Sequence, residues 1–360
     1  DTGLIKYFDL KRKVYTPERR DLFPGAGGCY FILASRGCPF SCTYCSNSLY
    51  HSIDPRFRKV RKRSVGNILS EMSWARRKGF KSFYIADDSF FSFSKPELEA
   101  FGRGYKREIK KPFSVVGLNP KALAAPDADK KLKILLDCGL SDVRIGVQSG
   151  SDNTLKVFNR GYKAADVPKM LEVIDRNRKT IWPAPYDTLH VALDFICDAA
   201  WETDEDKIAT IRLAQKLLRQ YSIFFYTLVY LPGTTIYHMA REKGWVSSHE
   251  KDIYLRGIAG VDDNIYNRIL FLIAVSKERG VTLKDSLIDH LVELSGSDRP
   301  RAQEMVDSIV ECINGVEMHH KVNLAHAAIH PYLTGFNEWT KTKGDVGRKV
   351  LFRSYHQPYG

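Results

Sequence analysis

The 360-residue sequence has no apolar run of 18 residues, no N-terminal secretory pattern, no tandem repeat and no low-complexity tract. These absences argue against a transmembrane helix, a secreted precursor and a repeat array. Cysteine is sparse: seven residues, unevenly spread, are too few for a disulfide scaffold and fit a reducing cytoplasm. Acidic residues fall short of basic ones, 42 against 55, for a net charge of +13. That balance favours an anionic partner such as nucleic acid, a phosphate-bearing substrate or lipid headgroups, and it leaves peripheral membrane association as a second reading of location. The densest basic run, "RFRKVRKRS" (56–64), has no RNA-binding signature or aromatic platform beside it. It reads as a solvated face, or as a neighbour of a bound anion.

What is present is an alternation. Short runs rich in β-branched and aromatic residues occur at 29–34, 82–87, 113–118, 142–147, 189–196 and 223–230, and helical patterns fall between them near 65–78, 96–110, 129–138, 164–177 and 204–219. Only partly alternating, the runs predict strands buried on both faces of a parallel sheet. Right-handed crossovers between neighbouring strands would curl it into a partial (β/α)6 TIM-like barrel, with a doubly wound sheet as the alternative. Ser64 is a candidate helix cap, and Thr203 with Asp206 has nearly the form of a capping box. Beyond 245 the alternation ends and a helical C-terminal region follows. The division is therefore 1–27 as a lead-in, 28–245 as the β/α core and 246–360 as the helical region. The chain opens on Asp1 rather than Met, so 1–27 also reads as a linker from an upstream module.

Three of the cysteines, Cys38, Cys42 and Cys45, crowd into "SRGCPFSCTYCS" (35–46) directly after the first predicted strand. In either arrangement of the sheet this is the carboxyl edge, where β/α proteins place their sites. Three thiolates suit zinc if Cys29 or His51 adds a fourth ligand. They also suit a [4Fe-4S] cube, which usually takes four cysteines, so three would leave one iron open.

"CPFSCTYC" resembles the CxxxCxxC loop of the radical S-adenosylmethionine (SAM) enzymes. The resemblance covers about 28–245 and implies that Cys38, Cys42 and Cys45 hold a [4Fe-4S] cluster whose unique iron is chelated by SAM, with Tyr44 packed near adenine. In that family an electron from the cluster cleaves the sulfonium to a 5'-deoxyadenosyl radical, which abstracts an unactivated hydrogen. "YIADDSFF" (84–91) is similar to the second-strand motif near the SAM amino group, which implies Asp87 and Asp88 there. "RIGVQSGSDNTLKVFNRG" (144–161) resembles the fourth-strand segment, with Gln148 for the usual Glu; it implies Gln148 and Ser149 at the ribose or carboxylate region and Arg160 at the carboxylate. "DFICDAAWETDED" (194–206) departs from the family's Gly-x-Pro-Gly-Glu-Thr: Asp198, Ala200 and Trp201 stand where Gly, Pro and Gly are expected, which puts the adenosine pocket in question. "VYLPGTTIYHMAREKG" (229–244) resembles the closing segment, with Pro232-Gly233-Thr234 as a strand-end turn, and "RKRSVGNILSEM" (61–72) the stretch leading from the cluster loop into the first helix.

Together these forms look most similar to cobalamin-binding members, many of which are methyltransferases. The resemblance implies a cobalamin-dependent C-methyltransferase, with a non-methylating radical SAM enzyme or a non-catalytic cluster or zinc protein as alternatives. A reducing partner such as flavodoxin or ferredoxin is implied as well. The related methylthiotransferases would carry further N-terminal cysteines and a basic C-terminal β-barrel, and the sequence shows neither signature. The remaining cysteines Cys29, Cys138, Cys197 and Cys312 read as small buried hydrophobes, with Cys197 at a strand end. His319, His320, His326 and His330 read as structural. Tyr84, His190 and Tyr226 read as core residues, one of which could contact substrate.

Overall fold

In the computed structural model, the described residues are 28–183, 187–217, 221–256 and 261–314, together with the backbone of 6–9, 14–17 and 333–334. The four C-terminal histidines lie outside them. Six parallel strands form the central sheet: β1 Cys29–Ile32, β2 Ser82–Ile85, β3 Phe113–Leu118, β4 Leu140–Gln148, β5 His190–Cys197 and β6 Ser222–Thr227. Each strand pairs with its sequence neighbour, in order from β1 at one edge to β6 at the other. A doubly wound sheet requires a reversal of strand order; this sheet has none. The fold is α/β, a singly wound six-stranded β/α sheet of partial-barrel type followed by helices.

Strand parity decides what each face does. Along β4, Val143, Ile145 and Val147 are fully buried, and along β5 Val191, Leu193 and Phe195 are nearly so. These residues face the helices. The alternate residues Arg144, Gly146 and Gln148 of β4 and Asp194 of β5 face the concave side. Burying each large aliphatic or aromatic side chain on the helical face contributes about 1.5–3 kcal/mol, which fixes the register and leaves the concave face free to be polar.

The helices between strands are α2 Val65–Arg77, α3 Lys95–Glu108, α4 Ala128–Cys138, α5 Val167–Arg176 and α6 Asp204–Leu217. Ser64 caps α2 by accepting from Asn67 N, and the Thr203–Asp206 box is reciprocal, with both backbone amides donating to the opposite side chain. Thr234 likewise caps α7, Thr235–Glu242, just after the Pro232-Gly233 turn. One helix departs from the sequence expectation. Before the basic run leads into α2, the cysteine loop runs directly into α1, Ser46–Ile53. Beyond the core, α8 Ile265–Glu278, α9 Asp285–Ser297 and α10 Arg299–Asn314 bear out the helical region as far as it is described. Among the described residues no helix is long and apolar enough to cross a membrane.

Candidate active site

The cysteine loop starts at Gly37, whose φ of +94° is open to glycine; a Cβ there would come within 2.8 Å of Phe57 O. This close approach lets the chain turn sharply off the end of β1. Cys38 and Cys42 are buried and Cys45 is half-buried. Burial pushes the Cys38 thiol up to about 11, and it raises Cys45 too, so desolvation keeps both protonated unless a cation compensates.

The three cysteines open onto a cavity of about 350 Å³ at the carboxyl edge of the sheet, lined also by Tyr44, Asp88, Gln148 and Arg160. Residues 120 apart in sequence thus meet because β1, β2 and β4 end at the same rim. Arg160, 6% exposed, ties the loop to β4. Its guanidinium donates to Cys42 Sγ at 3.0 Å, Tyr44 Oη at 3.2 Å, Gly146 O at 2.6 Å and Tyr162 Oη at 3.2 Å. Although burial opposes the charge, the neighbouring phenols and thiol hold it protonated. Tyr44 sets its ring edge against Phe158 at 4.7 Å.

Gln148 reaches the cavity through an unusual backbone. Its φ is +77°, and the β4–β5 register shifts between Gly146 and Gln148. A non-glycine residue in this region costs about 1–3 kcal/mol, and such strain clusters at functional sites. Gly146 makes room for it, since a Cβ there would lie 2.2 Å from Gln148 Nε2. Across the rim, Gly117 (φ +76°) lies so close to β2 that a Cβ would meet Asp87 O at 2.0 Å.

Two of the residues expected at the cofactor do not line this cavity. Asp87, 1% exposed, accepts from Ala34 N at 2.7 Å and Ser35 Oγ at 2.6 Å, clamping the end of β1 to β2. Ser149 is fully buried, and its hydroxyl is spent on Thr210 Oγ1 and Ser151 N. Each sits next to a residue that does face the cavity, Asp88 or Gln148, so neighbouring side chains of one motif divide between the two faces.

The structure adds Arg144 and Asp194, which motif reading missed, and brings in two of the three ambiguous strand residues, Tyr84 and Tyr226. All four line the same cavity. Arg144 donates to Asp194 Oδ1 at 2.5 Å and to Tyr226 Oη, and stacks on Phe224 at 4.8 Å. Parity carried the signal: Arg144 lies two and four residues before Gly146 and Gln148. Tyr84 and Tyr226 thereby leave the core class, while His190, exposed at the far end of β5, engages Asp142 and Ser222. Cys138, Cys197 and Cys312 are buried, as a hydrophobe reading expects. Cys29 begins β1, at the strand end opposite the cysteine loop, and His51 is buried without lining the cavity, so neither joins the cysteines. Among the described residues no three Cys, His, Asp or Glu side chains are gathered to hold a single metal ion. A four-iron cube engages a different iron with each thiolate and suits a more open triangle.

The altered 198–201 segment is anchored elsewhere. Asp198 adopts φ +64°, the conformation a glycine would take, and Asp tolerates it better than most residues. Its carboxylate accepts from Asp262 N at 2.9 Å and Asn267 Nδ2 at 2.7 Å, binding the barrel to the start of α8. Trp201 packs between Phe158 and Trp245. We expect Asp198→Ala to cost about 2 kcal/mol, through the lost bonds and the strained φ, and Asp198→Asn less than about 1 kcal/mol; urea unfolding of both variants checks the ordering.

Glu202 follows in the same loop and accepts from Thr154 Oγ1 at 3.0 Å. Burial pushes its carboxyl up from 4.5 to about 7. Because the folded chain then holds a proton that the unfolded chain has lost, stability falls as pH rises from about 4.5 to 7 and is level above. Glu202→Gln is expected to remove that slope and to be more stable than wild type at pH 8 by on the order of 2 kcal/mol. Thermal melts across the pH series read this out.

A parallel, singly wound barrel with three thiols and a charged cavity at its carboxyl edge defines a cofactor-dependent β/α-barrel enzyme. The chain belongs to the Radical SAM superfamily, which it matches over residues 32–241. Membership implies a [4Fe-4S] cluster and SAM as cofactors. Among relatives, it is 26% identical over 68% of its length to bacteriochlorophyllide d C-8(2)-methyltransferase of Chlorobaculum tepidum, covering 52% of that protein. It is also 26% identical over 57% of its length to tRNA-2-methylthio-N(6)-dimethylallyladenosine synthase of Corynebacterium efficiens, covering 38% of that protein. Among solved structures, the radical SAM methyltransferase TsrM of Kitasatospora setae, with cobalamin and a [4Fe-4S] cluster bound, aligns with a TM-score of 0.48 at 18% identity, over 62% of this chain and 41% of that one. The chain thus spans about half or less of the length of the curated relatives named here.

Proposed function

We propose that this chain holds a [4Fe-4S] cluster through Cys38, Cys42 and Cys45 and uses it to cleave SAM reductively and abstract hydrogen from an unactivated carbon. The observation that carries this reading is the convergence of the three thiols with Tyr44, Asp88, Gln148 and Arg160 on one cavity. Cluster and SAM, when bound, supply the electron and the hydrogen-abstracting radical. The chain's own residues bind and orient. Asp88 has the acceptors an ammonium group needs, and Gln148 offers both a donor and an acceptor to a hydroxyl or carboxylate. Arg160 holds the cysteine loop against β4 and brings the positive charge a carboxylate prefers, while Tyr44 presents an apolar face. Arg144, Asp194 and Tyr226 add a hydrogen-bonded polar wall to the same cavity. Residues 28–245 serve as the radical core, with 1–27 leading into it and 246–360 covering or completing it. The electron comes from a reducing protein such as flavodoxin or ferredoxin.

The finer reading is C-methylation, supported by the relative named as a methyltransferase, with cobalamin as the cofactor that the motif resemblance implies. Anaerobic reconstitution with and without cobalamin tests it. Reductive cleavage yields 5'-deoxyadenosine and methionine; methyl transfer adds S-adenosylhomocysteine when cobalamin is supplied. Cleavage without that second product, in the presence of converted substrate, overturns the methylating reading and favours a non-methylating radical enzyme.

A further inference from the structure

A second cavity, about 680 Å³, lies at the edge of β1, where no further described strand pairs, beside the cysteine loop. Its size is that of a pocket for a small organic ligand. The floor is apolar, built by Phe31 and Leu33, which are 52% and 36% exposed. Its rim carries four cations, Arg36, Arg61, Lys62 and Arg63, against one carboxylate, Glu71.

The charges on this rim are unequal in standing. Lys62 is paired with Glu97 at 2.6 Å, and Arg63 with Glu71 at 2.6 Å. Arg36 and Arg61 reach no carboxylate at ion-pair distance among the described residues; Arg61 stacks on Phe57 at 4.9 Å and feels the Asp54 carboxylate only at longer range. Yet these two arginines are direct partners in the short antiparallel ladder of Ser35–Arg36 with Arg61–Lys62. Like charges directly opposite across two strands sit about 5 Å apart at Cβ and repel. Folding gains nothing from this pairing. An anion seated between the two guanidiniums removes the repulsion and uses their parallel donors.

The second cavity adjoins the first. Phe31 of its floor meets Tyr84 of the cluster cavity, ring centroids 4.9 Å apart, and Arg36 precedes Cys38 by two residues. A cofactor in the 350 Å³ cavity leaves the molecule that reacts with it to lie alongside. We infer that the second cavity binds the substrate, and that the substrate is an amphipathic anion: an apolar body on Phe31 and Leu33, and a phosphate or carboxylate clamped by Arg36 and Arg61. This deepens the radical SAM reading and rests on it for the word substrate; the anion site itself stands on its own residues.

The test uses the reconstituted full chain and two fluorescent probes of similar shape, the anionic 8-anilinonaphthalene-1-sulfonate and the uncharged N-phenyl-1-naphthylamine. The wild type is expected to bind the anion saturably, one per chain, and Arg36→Gln/Arg61→Gln to weaken it at least tenfold while leaving the uncharged probe unchanged. Lys130→Gln/Lys133→Gln, which removes two charges from the outer helix α4, is expected to change neither. Competition by dodecyl phosphate and by dodecanoate distinguishes the two headgroups. Relief of the repulsion is expected to raise the midpoint of thermal unfolding of the arginine variant by about 1 °C without ligand. Equal anion binding by that variant and the wild type would overturn the inference, as would equal losses for both probes or a lowered melting midpoint. Iron content and SAM cleavage, measured on the same samples, report separately on the radical reading.

Discussion

Cys38→Ala is expected to reduce bound iron after anaerobic reconstitution from about four per chain, the content of one cube, to below about one, and to abolish reductive SAM cleavage. The reason is the ligand count. A cube normally rests on four thiolates, and a site that begins with three has none to lose. The same outcome is expected for Cys42→Ala and Cys45→Ala, while Cys138→Ala and Cys197→Ala, buried and away from the cavity, should retain iron. Iron assay with the visible absorption of the reconstituted protein reads this out. A Cys38→Ala protein that keeps its iron would place the cluster elsewhere.

Arg160→Ala carries the second large effect. This side chain makes four hydrogen bonds from a buried position, and it joins the cysteine loop to β4 and to the strained turn at Gln148. Its removal leaves Gly146 O, two phenols and a thiol short of a donor in a largely buried site. Hydrogen bonds to a charged group contribute about 1.5–3 kcal/mol each, and unsatisfied buried partners cost more than the bond itself gained. Losses within one network do not add, so we expect about 3 kcal/mol, a fall of roughly 6–12 °C in the unfolding midpoint. Arg160→Lys keeps the charge without the planar fork and should recover less than half of that loss. A midpoint unchanged in Arg160→Ala would mean that the loop is held by other contacts.

The sheet was legible in its β-branched and aromatic runs, and every end of β1 through β6 falls within three residues of expectation; the expected burial on both faces holds only on the helical face, because the concave face carries the polar lining of the cavity. The α1 helix was not legible. "SNSLYHSI" is only eight residues long and polar at Ser46, Asn47, Ser48, His51 and Ser52, too short and too polar to stand out as a helix. At the site, motif likeness located strand ends but could not choose between neighbours. Asp87 and Asp88 are chemically equal, and only the packing of β1 against β2 turns one inward to Ala34 N and Ser35 Oγ. Gln148 shares the strand face of Arg144 and Gly146, but the register shift and positive φ that set its final aim are backbone events with no side-chain signature. Asp198 taught the opposite lesson. A residue that looked like a blocked glycine keeps the glycine's conformation and adds two hydrogen bonds.

The central claim is that the three-cysteine loop and the cavity beneath it form a working cluster–SAM site. Its most direct test is anaerobic reconstitution of the full chain, reduction with dithionite, addition of SAM, and quantification of 5'-deoxyadenosine and methionine. The account predicts both products in equal amounts, dependent on reductant and absent from the Cys38→Ala protein. A protein that holds four irons and leaves SAM intact, or one that binds a single zinc in their place, would contradict it.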